Sequence, residues 1–267
     1  MSRIQETFAR LKAEERTGFV AFVTAGYPDI DATPGLVKAL VDGGADIIEL
    51  GVPFSDPLAD GPKVQESTFR ALQNGTTPET CIDAVRKLRA EGVTVPLVFM
   101  GYYNPVLAYG IERFAKDAAD AGADGIIPVD LPPEESGPLH EAFTKHGLDV
   151  VYLLAPTSTE ERIAAVAQKA SGFVYCVSLT GVTGMRDELP AELEAFIERV
   201  RKQISLPLAV GFGISQRKHF EAVGRIADAV VIGSAIIDVI AKSEPSEREA
   251  RLKEYAEVVT GRRGAAT

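Results

Sequence analysis

ADIIELGV (45–52) decides the fold. After Asp46 its residues are apolar on both alternations of an extended chain, except for one further carboxylate, Glu49, near the end. A strand with one face in water alternates apolar and polar; a continuous apolar run is covered on both faces, as in a parallel sheet. The same kind of run recurs in both directions: GFVAFVTAG (18–26), VPLVFMGYY (95–103), DGIIPVD (124–130), LDVVYLLAP (148–156), GFVYCVSL (172–179), LPLAVGFG (206–213) and DAVVIGSA (228–235). Segments of helical period lie between them, among them TPETCIDAVRKLRAEG (77–92), GIERFAKDAADAG (110–122) and ERIAAVAQKASG (161–172). Strand and helix alternate about eight times, the number of units in a single-domain (β/α)8 TIM barrel, and this α/β fold is expected for residues 1–267. A doubly wound sheet is the competing arrangement, but it favours a glycine-rich turn after the first strand, and TAGYPDID offers one glycine.

An internal echo fits the repeated unit. Gly44-Ala45-Asp46, Gly122-Ala123-Asp124 and, more loosely, Ile226-Ala227-Asp228 each close a helix and open a strand. Ahead of the first strand, Ile4, Phe8 and Leu11 recur at helical spacing, and Ser2 with Gln5 resembles a capping box, so an extra N-terminal helix is expected over about 2–15. From about 244 the chain carries no motif and reads as a polar helix fraying into a flexible tail.

Composition narrows the function. The chain has 267 residues, 46% hydrophobic and 25% charged, with net charge −10. An acidic chain without a basic cluster is a poor partner for nucleic acid or an anionic membrane, so any anion must be held locally by backbone N–H groups. Neither Cys81 nor Cys176 has metal-ligand spacing, and a reducing cytoplasm fits them. The N-terminus shows no apolar signal core and no transit peptide of the kind a plastid protein would carry. No run approaches the roughly 18 apolar residues of a membrane helix.

In such a barrel, active sites sit at the C-terminal ends of the strands. Glu49 passes that test. It reads either as an acid–base group raised in pKa by desolvation or as a carboxylate that fixes the rim. After it comes a loop stiffened by Pro53, Pro57 and Pro62, carrying Asp56 and Asp60. Asp56 reads as an Asx turn or a surface contact. Asp60-Gly61-Pro62 reads by itself as a helix N-cap, and in combination with Glu49 as a second carboxylate held in place. At the other end of the chain, Gly211-Phe212-Gly213-Ile214-Ser215 and Ile232-Gly233-Ser234-Ala235 follow the seventh and eighth strands, where barrels commonly bind phosphate. The sixth loop, 178–190, reads as a lid or as a plain connection. His140, His146 and His219 fall on predicted helices, and no lysine ends a strand, which argues against a histidine base, a histidine-bound metal and a Schiff base. What remains is cofactor-free acid–base chemistry on a phosphorylated metabolite.

ELGVPFSDPLADGP (49–62), GYYNPVLAYG (101–110), VDLPPEES (129–136), TGVTG (180–184) and GFGIS (211–215) closely resemble the tryptophan synthase α subunit family, in order from about Phe19 to Ile236. The resemblance implies retro-aldol cleavage of indole-3-glycerol phosphate to indole and glyceraldehyde 3-phosphate. It also implies a partner, a β subunit bearing pyridoxal phosphate in an α2β2 assembly, with no cofactor on this chain. It places the catalytic pair on Glu49 and Asp60, with Tyr175 a further active-site residue. Phe22, Met100 and Ile127 would line the indole pocket, Thr183 would close the lid, and Gly184, Gly213, Gly233 and Ser234 would hold phosphate. Asp56, Pro57, Asn104 and Pro132 would face the β subunit. A stand-alone lyase and a non-catalytic subunit that binds a phosphorylated ligand are the alternatives.

Overall fold

In the computed structural model, which describes residues 1–177, 191–211 and 213–262, strands and helices alternate along the chain. The strands are β1 (Gly18–Thr24), β2 (Ile47–Gly51), β3 (Leu97–Gly101), β4 (Gly125–Pro128), β5 (Asp149–Val150), β6 (Leu153–Leu154), β7 (Val174–Val177), β8 (Leu208–Gly211) and β9 (Ala229–Ile232). The helices are α1 (Arg3–Ala13), α2 (Thr33–Asp42), α3 (Pro62–Gln73), α4 (Pro78–Ala90), α5 (Tyr103–Tyr109), α6 (Ile111–Ala121), α7 (Gly137–Lys145), α8 (Glu160–Lys169), α9 (Ala191–Arg201), α10 (Arg217–Gly224), α11 (Ser234–Lys242) and α12 (Arg248–Thr260).

The strands pair in parallel in the order β5-β4-β3-β2-β1-β9-β8-β7-β6. The two ends of that order are consecutive in sequence. The run 148–156, expected as one strand, is two: β5 pairs with β4, β6 pairs with β7, and Val151-Tyr152 carries the chain from one neighbour to the other. The strands of a barrel are tilted and staggered, so a run at the closure meets its two neighbours at different heights.

Side-chain alternation builds two apolar compartments. Ile47 joins Val20, Val98, Ile127, Val151, Phe173, Ala209, Ala229 and Val231 inside the barrel. Ile48 and Leu50 point outward into the layer shared with the helices. Glu49, two positions after Ile47, therefore points inward. Helix α1 packs Ile4, Phe8 and Leu11 into the same inner cluster, with the Phe8 ring 5.8 Å from that of Phe173. Its start is fixed by the expected capping box between Ser2 and Gln5, a device worth about 1 kcal/mol.

The recurring Asp at the strand starts is structural. Asp46 gives its N–H to the Phe19 carbonyl and accepts from the Phe19 N–H at 2.9 Å. Asp124 does the same with Leu97 at 2.8 Å, and Asp228 with Leu208 at 2.7 Å. Each carboxylate thus satisfies a strand N–H that has no ladder partner, and each meets arginine: Arg16 and Arg262 at Asp46, Arg3 and Arg89 at Asp124, Arg201 at Asp228.

The polar helix expected from about 244 is present but docked, and the end of the tail expected beyond it, from 263, lies outside the described residues. Residues 248–260 form α12, with Leu252, Ala256 and Val259 buried; these recur at i, i+4, i+7 and dock against α2.

Candidate active site

Strand β2 carries Glu49 to the C-terminal end of the barrel, in register with Phe22 on β1 and Val98 on β3. The carboxyl group is fully buried, and among the described residues neither of its oxygens has a hydrogen-bond partner. Burial alone pushes its pKa up to about 8, so the group is mostly protonated at neutral pH. A carboxyl left bare at the end of a strand is poised to move a proton.

Asp60 sits at the end of the loop after β2. The N-cap role read from its sequence is not what it does: Gly61 is the N-cap residue of α3, with no side-chain cap. Pro62 opens the helix without an N–H to satisfy. The Asp60 carboxylate instead accepts from the Tyr102 hydroxyl at 3.0 Å, and that hydroxyl accepts from the Ala59 N–H at 2.9 Å. Phe54 packs on the Tyr102 ring at 5.3 Å. Burial raises the Asp60 pKa, and the Tyr102 hydrogen bond opposes the rise. The loop is tied down further by Gln65, whose amide donates to the Asp60 carbonyl at 2.9 Å and to that of Pro57 at 3.3 Å.

Phe22, Glu49, Asp60, Met100, Tyr175, Gly213, Gly233 and Ser234 line one cavity of about 490 Å³. Tyr175 is buried; its hydroxyl pKa is raised by burial and by the nearby Glu49 and Asp60. Gly211 makes room for that hydroxyl, since a Cβ there would overlap it. Gly213 adopts φ 74°, a left-handed turn that suits glycine. Gly233 is the N-cap residue of α11 at the cavity wall and provides no side-chain cap for the first N–H groups of that helix. Those groups and the helix dipole favour an anion.

Ile127 differs from expectation. It is fully buried in the inner cluster and does not line the cavity; Leu153 and Val129 do. Thr183 and Gly184 lie outside the described residues. Asp56 and Asn104 are exposed, and Pro57 and Pro132 half-buried, on segments that follow β2, β3 and β4 at the same end of the barrel as the cavity. Leu58 and Leu107, 89% and 51% exposed, stand on the first two of those segments. The sequence reading missed them, although both lie within the quoted motifs. It also missed Tyr102, whose partner lies 42 positions away.

His140, His146 and His219 lie on or at the end of α7 and on α10, and none lines the cavity. Cys81 and Cys176 are buried thiols pushed up to about 12, which leaves them inert as nucleophiles.

A family model described as tryptophan synthase alpha chain matches residues 8–265. A protein named tryptophan synthase alpha chain from Roseiflexus castenholzii is 53% identical over 261 residues, covering 98% of this chain and all of that one. Among solved structures, tryptophan synthase subunit alpha from Legionella pneumophila superposes with a TM-score of 0.88 at 38% identity, covering 98% of this chain and 99% of the other. A tryptophan synthase complex from Pyrococcus furiosus contains a chain that superposes with a TM-score of 0.84 at 36% identity, covering 91% and 98% of the two chains.

Proposed function

From the chain's membership of the tryptophan synthase alpha chain family, we propose how its own residues carry the family's half-reaction, the retro-aldol cleavage of indole-3-glycerol phosphate to indole and glyceraldehyde 3-phosphate. The observation that carries the assignment is Glu49: buried, unpartnered and protonated near neutral pH at the cavity wall. Cleavage needs a proton delivered to indole C3 and one removed from the glycerol hydroxyl. Glu49 gives the first. The resulting carboxylate takes the second as the hydroxyl becomes the aldehyde and the carbon–carbon pair returns to the ring. Glu49 ends as it began, and no net proton is consumed.

Asp60 accepts the indole N–H and stabilises the positive charge that develops on the protonated ring. Tyr102 is a positioning residue, occupying one Asp60 oxygen and leaving the other for the ring. The two carboxyl groups divide the work because their surroundings differ. Phe22 and Met100 cover the apolar ring, Tyr175 packs beside the reacting groups, and Gly213, Gly233 and Ser234 seat the phosphate.

The rim of Asp56, Pro57, Asn104 and Pro132, with the bare Leu58 and Leu107, is the docking face for a β subunit that bears pyridoxal phosphate, in an α2β2 assembly in the cytoplasm. An apolar pair on adjacent loops, rimmed by polar groups, suits such a contact.

Indole release from indole-3-glycerol phosphate, followed with and without a tryptophan synthase β subunit, tests the reading. Slow release that rises with the partner is expected. Fast release alone would make the chain a stand-alone lyase, and none in either case would leave a binding subunit. Because Glu49 must begin protonated, kcat/KM is expected to fall as pH rises through about 8; a flat profile to pH above 9 would remove Glu49 as the donor.

A further inference from the structure

The cavity wall carries three carboxyl groups, Glu49, Asp60 and Asp238, and among the described residues that line it Lys63 is the only cation. A phosphate would enter this wall against Asp60 and Asp238. Lys63 lies in the first turn of α3, three positions after Asp60, and its Nζ donates to Asp238 Oδ2 on α11, 175 positions away. Asp238 is one helical turn beyond Ser234, so the two lie on the same face, roughly 6 Å apart at Cβ. Side chains on a helix lean toward its N-terminus, which brings the Lys63 ammonium toward the uncapped N–H groups of α11.

We propose that Lys63 is a specificity-determining residue for the phosphate end of the substrate: Asp238 holds its ammonium beside the α11 N-terminus and hands it to the incoming phosphate. The inference rests on the phosphate seat at Gly213, Gly233 and Ser234. Two features permit the transfer. Lys63 and Asp238 expose 48% and 30% of their side chains, so the pair is not locked in the core. Asp238 also has Lys242 at 3.8 Å, one turn on, which keeps a cation beside it when Lys63 leaves. The pair further links the helix that follows the Asp60 loop to the helix that holds phosphate, so a bound phosphate draws both toward the ligand.

Steady-state kinetics of the full chain on indole-3-glycerol phosphate and on the same compound without phosphate test this. Lys63→Met is expected to raise KM for the phosphorylated substrate by about ten- to hundredfold, the worth of one hydrogen bond to a charged group. Its kcat should change by less than about threefold, and kcat/KM on the dephosphorylated compound should not change. Lys63→Arg should restore KM, and Asp238→Asn should lower it, because the amide oxygen still accepts from the ammonium while the negative charge that faces the phosphate is gone. A Lys63→Met variant with unchanged KM, or with equal losses on both compounds, overturns the proposal. Ser234→Asp separates the two levels of the argument, since it sets a carboxylate among the N–H groups. If it raises KM steeply while Lys63→Met is silent, the phosphate seat stands and Lys63 has no part in it. If both are silent, the seat itself is misplaced and the inference falls with it.

Discussion

At the N-terminal end of the barrel, Asp46 and Asp124 expose 5% and 4% of their side chains; at the C-terminal end, Glu49 exposes none. Depth is nearly equal, but company is not. Asp46 and Asp124 each accept a strand N–H and meet at least two arginines. Among the described residues Glu49 has no hydrogen-bond partner. A buried carboxylate with charge and hydrogen-bond partners holds structure and is costly to strip of them. One without partners keeps a proton that it can deliver. Partner count, more than burial, separates the scaffold from the site.

That contrast can be broken most severely at Glu49. Glu49→Gln is expected to lower kcat for cleavage by about 10²- to 10⁴-fold, measured as indole release, while the chain stays folded. The same variant has a stability signature of opposite sign. The folded chain keeps the Glu49 proton to about pH 8, whereas an unfolded chain loses it near 4.5. Wild type should therefore lose stability as pH climbs through that window, and Glu49→Gln should lack that loss. Urea melts at pH 6 and pH 9 would show it; parallel losses in both proteins would mean that the carboxyl is solvated.

At the opposite end, Asp124→Ala should cost about 3 kcal/mol of stability, because Arg89 loses its buried counter-charge, with kcat per folded molecule unchanged. Asp228 uses the same device with 40% of its side chain exposed. Asp228→Ala should cost only about 1 kcal/mol, and equal losses at the two sites would show that burial does not scale the effect. The smallest change is Tyr102→Phe, expected to cost about 1 kcal/mol in transition-state stabilisation through a loosened Asp60, seen as a several-fold drop in kcat. A stability loss without a kinetic one would make Tyr102 a packing residue only.

Much of the architecture was legible because it is written locally. Runs such as ADIIELGV carry the parallel sheet in their continuous apolarity, and Ser2 with Gln5 carries the first helix boundary. The break within LDVVYLLAP was not legible. No glycine or proline marks Val151-Tyr152, and the break follows from where the ring of strands meets itself. The docking of α12 was present as the spacing of Leu252, Ala256 and Val259, but mostly polar neighbours hid it. At the site, Glu49 showed itself as an acid set late in an apolar run, directly after Ile47 and Ile48. Asp60 looked like a cap because Gly61-Pro62 follows it, and only the fold reveals that Tyr102 claims its carboxylate. The Asp46, Asp124 and Asp228 repeat was visible, but its purpose depends on the neighbouring strand.

The divided fifth run has a mechanical consequence. The hoop of strands fastens there with a clasp of two-residue strands, each bonded to one neighbour only. Strand β1 stands four places from either side of the clasp, flanked by β2, which bears Glu49, and β9, which leads into Gly233. The compliance of the ring is thus concentrated on the far side from the proton-carrying carboxyl, where opening costs the fewest hydrogen bonds. Thermal breathing at the clasp leaves the spacing among Phe22, Glu49 and Gly233 at the stiffest arc of the hoop.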